Sequence, residues 1–175
     1  MIIMLNIVIL ILLAIIAVQD IRYRAISWVV IPVLYLLCLL LGIRENGFQY
    51  VLDYSLRNLL FIILQLLIVS LYFIFRHRKL IKITGMYLGW GDILFIAAIT
   101  PLFPTNIYIL YMVTGMFLVL SGHWVWSRIT GKNKIRDYIP LAGLLAIYLT
   151  IIRINYLLFP HFITRVMSTL SMNNL

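Results

Sequence analysis

Six long apolar segments run through the chain, and each approaches the length that an α-helix needs to cross a lipid bilayer. A hydrocarbon core of about 30 Å takes roughly 20 apolar residues in helical conformation. Of the 175 residues, 65% are hydrophobic and 11% are charged, far from the average of soluble proteins. We therefore expect an all-α polytopic membrane protein in which residues 1–175 form a single membrane-embedded domain. The expected spans cover residues about 2–19, 26–42, 59–75, 83–103, 106–126 and 139–159.

Basic residues concentrate in the connections after the first, third and fifth segments, which hold ten of the fourteen Lys and Arg residues. Short loops rich in these residues stay on the cytoplasmic side, so both termini are expected on the non-cytoplasmic side of a cell membrane. Contact with anionic lipid headgroups then explains the net charge of +9, and no nucleic-acid partner is expected. Arg153 lies inside the sixth segment, where its stem is expected to reach the outer interface. The ten basic residues are Arg22, Arg24, Arg76, Arg78, Lys79, Lys82, Arg128, Lys132, Lys134 and Arg136.

Two of the five acidic residues lie against apolar sequence. Asp20 closes the first segment, and Asp92 follows Gly89, Trp90 and Gly91 at the start of an apolar run. A carboxylate at membrane depth costs from about 2.5 to more than 10 kcal/mol, so it usually serves a function. The predicted topology places both acids near the cytoplasmic surface. The other acids, Glu45, Asp53 and Asp137, are expected in loops or at a helix cap.

Two carboxylates held close together in an apolar site cannot both ionise easily, so they share a proton. One then acts as a general base toward a water molecule and the other as a general acid, which is aspartic protease chemistry. Alternatively, each aspartate forms a salt bridge with a nearby arginine, such as Arg22 or Arg24, and only orients its loop. The helix carrying Asp92 starts either near Ile83 or near Gly91, and the three glycines between Ile83 and Asp92 favour a break before the acid.

These residues resemble the motifs of type 4 prepilin peptidases, which are membrane aspartic peptidases of the GxGD class. The resemblance is to the short form that includes the archaeal preflagellin peptidases. Residues 89–92 match the GxGD motif, although Leu94 stands where many members have Lys. Residues 139–143 are similar, less closely, to the start of the family's Pro-rich and Gly-rich sixth span. The first motif is matched by Asp20, Arg22, Arg24 and Ile26, with Ser27 where Pro is usual and Trp28 where Asn is common.

The resemblance implies a specific activity at the cytoplasmic face of the inner membrane. Family members cleave the basic leader of prepilin-like proteins after a Gly that precedes the substrate's apolar helix, and their products enter type IV pili, secretion machines or archaella. Asp20 and Asp92 would be the catalytic pair, with no cofactor and no metal. Longer members add a cysteine-bearing zinc domain and methylate the new N-terminus, whereas this chain has one cysteine, so methyltransferase activity is not expected. The residues expected to shape the active-site loops are Gly89, Gly91, Arg22 and Arg24.

Other functions are compatible with the same two acids. Presenilin-like and signal-peptide-peptidase-like proteases share the GxGD motif but usually carry Tyr before the partner Asp, where this chain has Gln19. A non-enzymatic transporter or pilus-assembly factor would use Asp20 and Asp92 to bind a proton or an ion. A zinc protease is not supported, because the sequence has no HExxH motif.

Overall fold

The structure is a computed structural model that describes residues 1–77, 89–130 and 140–158. These residues are almost entirely helical, which confirms the all-α prediction for the described part of the chain. Within these ranges, four helical segments are long and apolar enough to cross a membrane: Ile2–Tyr23, Phe48–Tyr72, Thr105–Gly122 and Leu141–Leu158. The helices are α1 (Ile2–Tyr23), α2 (Val30–Asn46), α3 (Phe48–His77), α4 (Trp90–Ala98), a 3₁₀ turn (Thr100–Leu102), α5 (Thr105–Thr130) and α6 (Leu141–Leu158).

The helices form two compact units, and the single membrane-embedded domain stays a prediction. The first unit, residues 1–24 and 106–175, contains α1, nearly all of α5, and α6. The second unit, residues 25–105, contains α2, α3, α4 and the 3₁₀ turn.

In the first unit, α1 packs along α6 through apolar side chains. The buried residues of α1 recur every three or four positions, including Ile9, Leu13 and Ile16, as expected for one face of a helix. On α5, the Tyr111 hydroxyl donates a hydrogen bond of 2.8 Å to the Leu145 carbonyl of α6. The close contact of α1 with α6 sets the surroundings of Asp20.

Arg153 of α6 is buried in the first unit rather than reaching the interface through its stem. Only 3% of the residue is exposed, and its guanidinium lies 5.5 Å from the ring centroid of Tyr156. The expectation that Arg153 extends to the outer interface is therefore wrong. The side chain turns into the packed side of α6 together with apolar neighbours such as Leu149.

The second unit contains a break in helical structure that α3 stabilises. Helix α4 ends at Ala98, and the 3₁₀ turn leaves backbone carbonyls without helical partners. The Asn58 amide on α3 donates to the carbonyls of Thr100 and Phe103, each at 3.0 Å. The Tyr54 hydroxyl donates to the Pro101 carbonyl at 3.1 Å. Irregular backbone is tolerated in a membrane protein where protein groups satisfy it in this way.

Some helix ends differ from the predicted spans for local reasons. Helix α2 begins at Val30 rather than near Ile26, which places Pro32 in its first turn, where proline is tolerated. Helix α3 begins at Phe48, directly after Gly47, whose φ of 89° suits glycine. Asp53 consequently lies within α3 and pairs with Arg57 at 2.9 Å, instead of capping a helix.

Several residues of the sequence analysis lie outside the described residues. This applies to most of the basic connections after α3 and α5. The residues concerned are Arg78, Lys79, Lys82, Ile83, Gly85, Lys132, Lys134, Arg136, Asp137 and Ile139.

Candidate active site

Asp20 lies in the last turns of α1, because the helix continues to Tyr23 instead of ending before the acid. The residue is buried, with 7% of its surface exposed. Its Oδ2 accepts a hydrogen bond of 2.6 Å from the backbone N–H of Gly143. Gly143 is the third residue of α6, and N–H groups in the first turn of a helix have no intrahelical partner. The Asp20 carboxylate therefore caps the N-terminus of α6.

The absence of a side chain at Gly143 permits this contact. A Cβ placed at position 143 would lie 3.1 Å from both Cβ and Oδ2 of Asp20, and 3.2 Å from Cγ1 of Ile21. These distances are shorter than ordinary van der Waals contacts, so a larger residue would displace the acid or separate the helices. Gly143 thus fixes the position of Asp20 in two ways, by donating a hydrogen bond and by leaving space.

The arginines after Asp20 do not neutralise it. Within the described residues, no salt bridge joins Asp20 to Arg22 or Arg24, so neither of these two arginines supports the salt-bridge alternative for Asp20. Arg22 is exposed, with its guanidinium 5.6 Å from the ring centroid of Tyr23. Arg24 ends α1 in a left-handed conformation with φ of 52°, and its backbone N–H donates to the Asp20 carbonyl at 2.9 Å. Arg24 thus shapes the exit of the chain from α1.

Asp92 is the third residue of α4, which begins at Trp90. Gly89 precedes the helix in an extended conformation, so helical structure is broken before the acid, as the glycines indicate. Oδ2 of Asp92 accepts a hydrogen bond of 3.1 Å from the Gly89 backbone N–H, while the Asp92 N–H donates to the Gly89 carbonyl at 3.1 Å. This reciprocal pair fixes the carboxylate at the positive end of a helix.

Gly91 places the start of α4 against the chain segment that follows α1. A Cβ at position 91 would lie 3.2 Å from Cδ1 of Ile26, and Ile26 is half-buried. Ile26 belongs to the first sequence motif and Gly91 to the second, so the two motifs are in contact within the second unit. Sequence spacing alone does not reveal this contact.

The structure thus brings part of the predicted site together. Asp20 contacts Gly143 in the first unit, and Asp92 contacts Gly89 in the second, while the pairing of the two acids stays a prediction. Gly143 is the site residue that sequence reasoning undervalued. Its signal is a glycine three positions after Pro140, at the start of an apolar helix. Among the described residues, no group of three or more His, Cys, Asp or Glu side chains could hold a metal ion.

Comparison with known proteins finds no matching family model, no matching curated protein and no matching solved structure. A function for the chain has to be inferred from its own residues and their geometry.

Proposed function

We propose that this protein is a membrane aspartic endopeptidase of the prepilin peptidase type. It cleaves the basic leader of a prepilin-like protein after a Gly, at the cytoplasmic face of the cell membrane. Asp20 and Asp92 are the catalytic pair, and Gly89, Gly91, Arg22 and Arg24 shape the surrounding loops.

The observation that carries this proposal is the environment of Asp20. An acid needed only to anchor a loop would be expected to pair with one of the arginines beside it, yet a backbone amide holds Asp20 instead. Within the described residues, Oδ2 is bound by Gly143 and Oδ1 accepts no hydrogen bond. One oxygen is therefore fixed while the other is available to a water molecule or to a partner carboxyl group.

The proposed reaction uses the shared proton of the two carboxyl groups. The ionised carboxylate takes a proton from a water molecule, and the water oxygen attacks the carbonyl carbon of the Gly that ends the substrate's leader. The protonated carboxyl group donates its proton to the carbonyl oxygen. Collapse of the tetrahedral intermediate breaks the C–N bond, and the departing amine takes up the proton that came from water. The proton on the former carbonyl oxygen returns to the carboxylate that donated it, which restores the shared proton. Each aspartate accepts a hydrogen bond from a backbone N–H, which limits the rotation of its carboxyl group.

A six-span topology with both termini outside belongs to the same proposal. The described helical stretch Trp90–Leu102 would extend only about 20 Å at 1.5 Å per residue, less than the roughly 30 Å of a hydrocarbon core. The fourth span therefore also requires residues before Trp90, and Asp92 then lies near the start of helical structure at the cytoplasmic end. The basic connections agree with this sidedness.

A non-enzymatic membrane protein that binds a proton at Asp20 is the second candidate. The observation in its favour is the Asp20–Gly143 bond, because a carboxylate that caps α6 would couple protonation to the packing of α1 against α6.

Processing of a co-expressed substrate separates the two candidates. The substrate carries a basic leader, a Gly and an apolar helix, and its size is followed after expression of wild-type protein, Asp20→Asn or Asp92→Asn. The peptidase proposal predicts loss of processing in both variants, with unchanged amounts of membrane-inserted protein. Asp53→Asn serves as the control, because Asp53 is exposed and pairs with Arg57 away from both acids in sequence. Normal processing in either site variant would exclude the catalytic pair.

A further inference from the structure

A groove of about 440 Å³ lies between α1 and α6 in the first unit. Two small side chains on α1, Ala14 and Ala17, create it, because larger residues at these positions would fill the space. Its walls are otherwise branched aliphatic side chains, and several of them are more than one third exposed. The apolar residues that line it are Ala14, Ala17, Val18, Ile21, Ile147 and Ile151.

The groove is apolar along its length. Thr150 also lines it, but the Thr150 hydroxyl donates to the Ala146 carbonyl of its own helix at 2.8 Å. The hydroxyl hydrogen is thus already used, and the methyl group remains as the apolar part of the side chain. An occupant of the groove needs no polar groups there, which favours hydrocarbon.

Arg22 lies at the end of the groove toward the C-terminus of α1. Helix α1 is long and apolar enough to span a bilayer, so a residue in its last turn lies where hydrocarbon meets the lipid headgroups. Arg22 is exposed, and no salt bridge to an acidic residue of the described chain uses its charge. An apolar channel that ends at an exposed guanidinium matches a molecule with a hydrocarbon chain and an anionic group.

We infer that the α1–α6 groove binds one anionic phospholipid, with an acyl chain along the groove and the phosphate at Arg22. The volume argues against a spanning peptide helix as the occupant. One turn of helix with its side chains, 10–12 Å wide and 5.4 Å high, fills roughly 400–600 Å³, so the groove holds about one turn at most. The positive charge of Arg22 attracts the phosphate of such a lipid.

Native mass spectrometry of the purified full chain tests this inference independently of any peptidase activity. Delipidated protein in neutral detergent is titrated with phosphatidylglycerol or phosphatidylcholine of identical acyl chains. We expect wild-type protein to retain one phosphatidylglycerol about fivefold more strongly than phosphatidylcholine, the preference that one basic residue provides. Arg22→Gln should abolish the preference. Arg128→Gln should keep it, because Arg128 does not line the groove. Arg128 is a matched control, since it is also an exposed arginine in the last turn of its helix, 5.3 Å from the ring centroid of Trp124.

A second pair of variants tests the acyl chain. Ala14 is exposed, so Ala14→Leu fills the groove without disturbing buried packing, and it should weaken binding of both lipids several-fold. Ala14→Ser keeps the size and should bind like wild type. Equal binding of the two lipids by wild-type protein, an unchanged preference in Arg22→Gln, or full competition by glycerol phosphate without acyl chains would each overturn the inference. Thermal unfolding of every variant verifies that a loss of binding does not come from loss of the fold.

Discussion

Substitution of Gly143 by alanine tests whether the position of Asp20 controls activity. The new methyl group would lie 3.1 Å from Cβ and Oδ2 of Asp20, so the carboxylate or helix α6 must move by a few tenths of an ångström. The movement weakens a hydrogen bond to a charged group, which contributes about 1.5–3 kcal/mol. The greater helix propensity of alanine stabilises the folded protein by up to about 1 kcal/mol and partly offsets this loss. The expected net loss of stability is therefore about 0.5–2 kcal/mol.

The expected effect on catalysis is larger than the effect on folding. A displacement of 1 Å in a catalytic group can lower a rate about a hundredfold, so a shift of a few tenths of an ångström should lower kcat roughly tenfold. KM should change little, because Gly143 contacts the acid rather than a substrate-binding surface. The assay is cleavage of a leader-containing peptide by purified protein in lipid vesicles, with kcat and KM determined separately.

Gly122→Ala is the matched control for this substitution. Gly122 also lies in an apolar helix, α5, but a Cβ there would meet no atom of the described residues within 4 Å. This variant should retain full activity and equal or greater stability. If Gly143→Ala cleaves the peptide as fast as Gly122→Ala does, the Asp20–Gly143 contact does not position a catalytic group.

Two further substitutions test the second unit. The new methyl group in Gly91→Ala would lie 3.2 Å from Cδ1 of Ile26 and should lower the cleavage rate severalfold. The double variant with Ile26→Val, which has a smaller side chain, should recover part of the lost rate. An unchanged rate in Gly91→Ala alone would contradict a role for this contact. Asn58→Leu leaves the carbonyls of Thr100 and Phe103 without their donor and should destabilise the protein by about 2–4 kcal/mol, measured as a lower Tm. The control is Arg57→Gln, which breaks the exposed Arg57–Asp53 salt bridge one residue before Asn58 and should leave Tm nearly unchanged. An equal decrease in Tm in both variants would contradict the stabilising role of Asn58.

The sequence predicts the helical segments well because apolar composition and length decide them. It predicts the ends less well, since these depend on contacts between helices. Asp20 lies inside α1 rather than in a loop, and its carboxylate accepts a hydrogen bond from the N-terminus of α6. The sequence does indicate where α2 begins, because Pro32 is tolerated in the first turn of a helix but not in its interior.

Tertiary packing determines the features that periodicity did not reveal. The burial of Arg153 depends on which face of α6 is packed, and composition does not specify that face. The role of Gly143 depends on α1 and α6 meeting at one level, more than 120 positions apart in sequence. The GxGD glycines, in contrast, predict the break before Asp92 correctly, because the low helix propensity of glycine is a local property.

Cleavage in water labelled with oxygen-18 tests the central proposal most directly. Purified protein in vesicles is incubated with a peptide that carries a basic leader, a Gly and an apolar helix, and the leader fragment is analysed by mass spectrometry. The two-aspartate mechanism predicts a fragment that ends at the Gly and carries one labelled oxygen in its new carboxylate. Asp20→Asn and Asp92→Asn should yield no fragment although both proteins remain folded. Labelled product from either variant, or no product from the wild-type protein, would contradict the proposal that these two acids activate water for peptide cleavage.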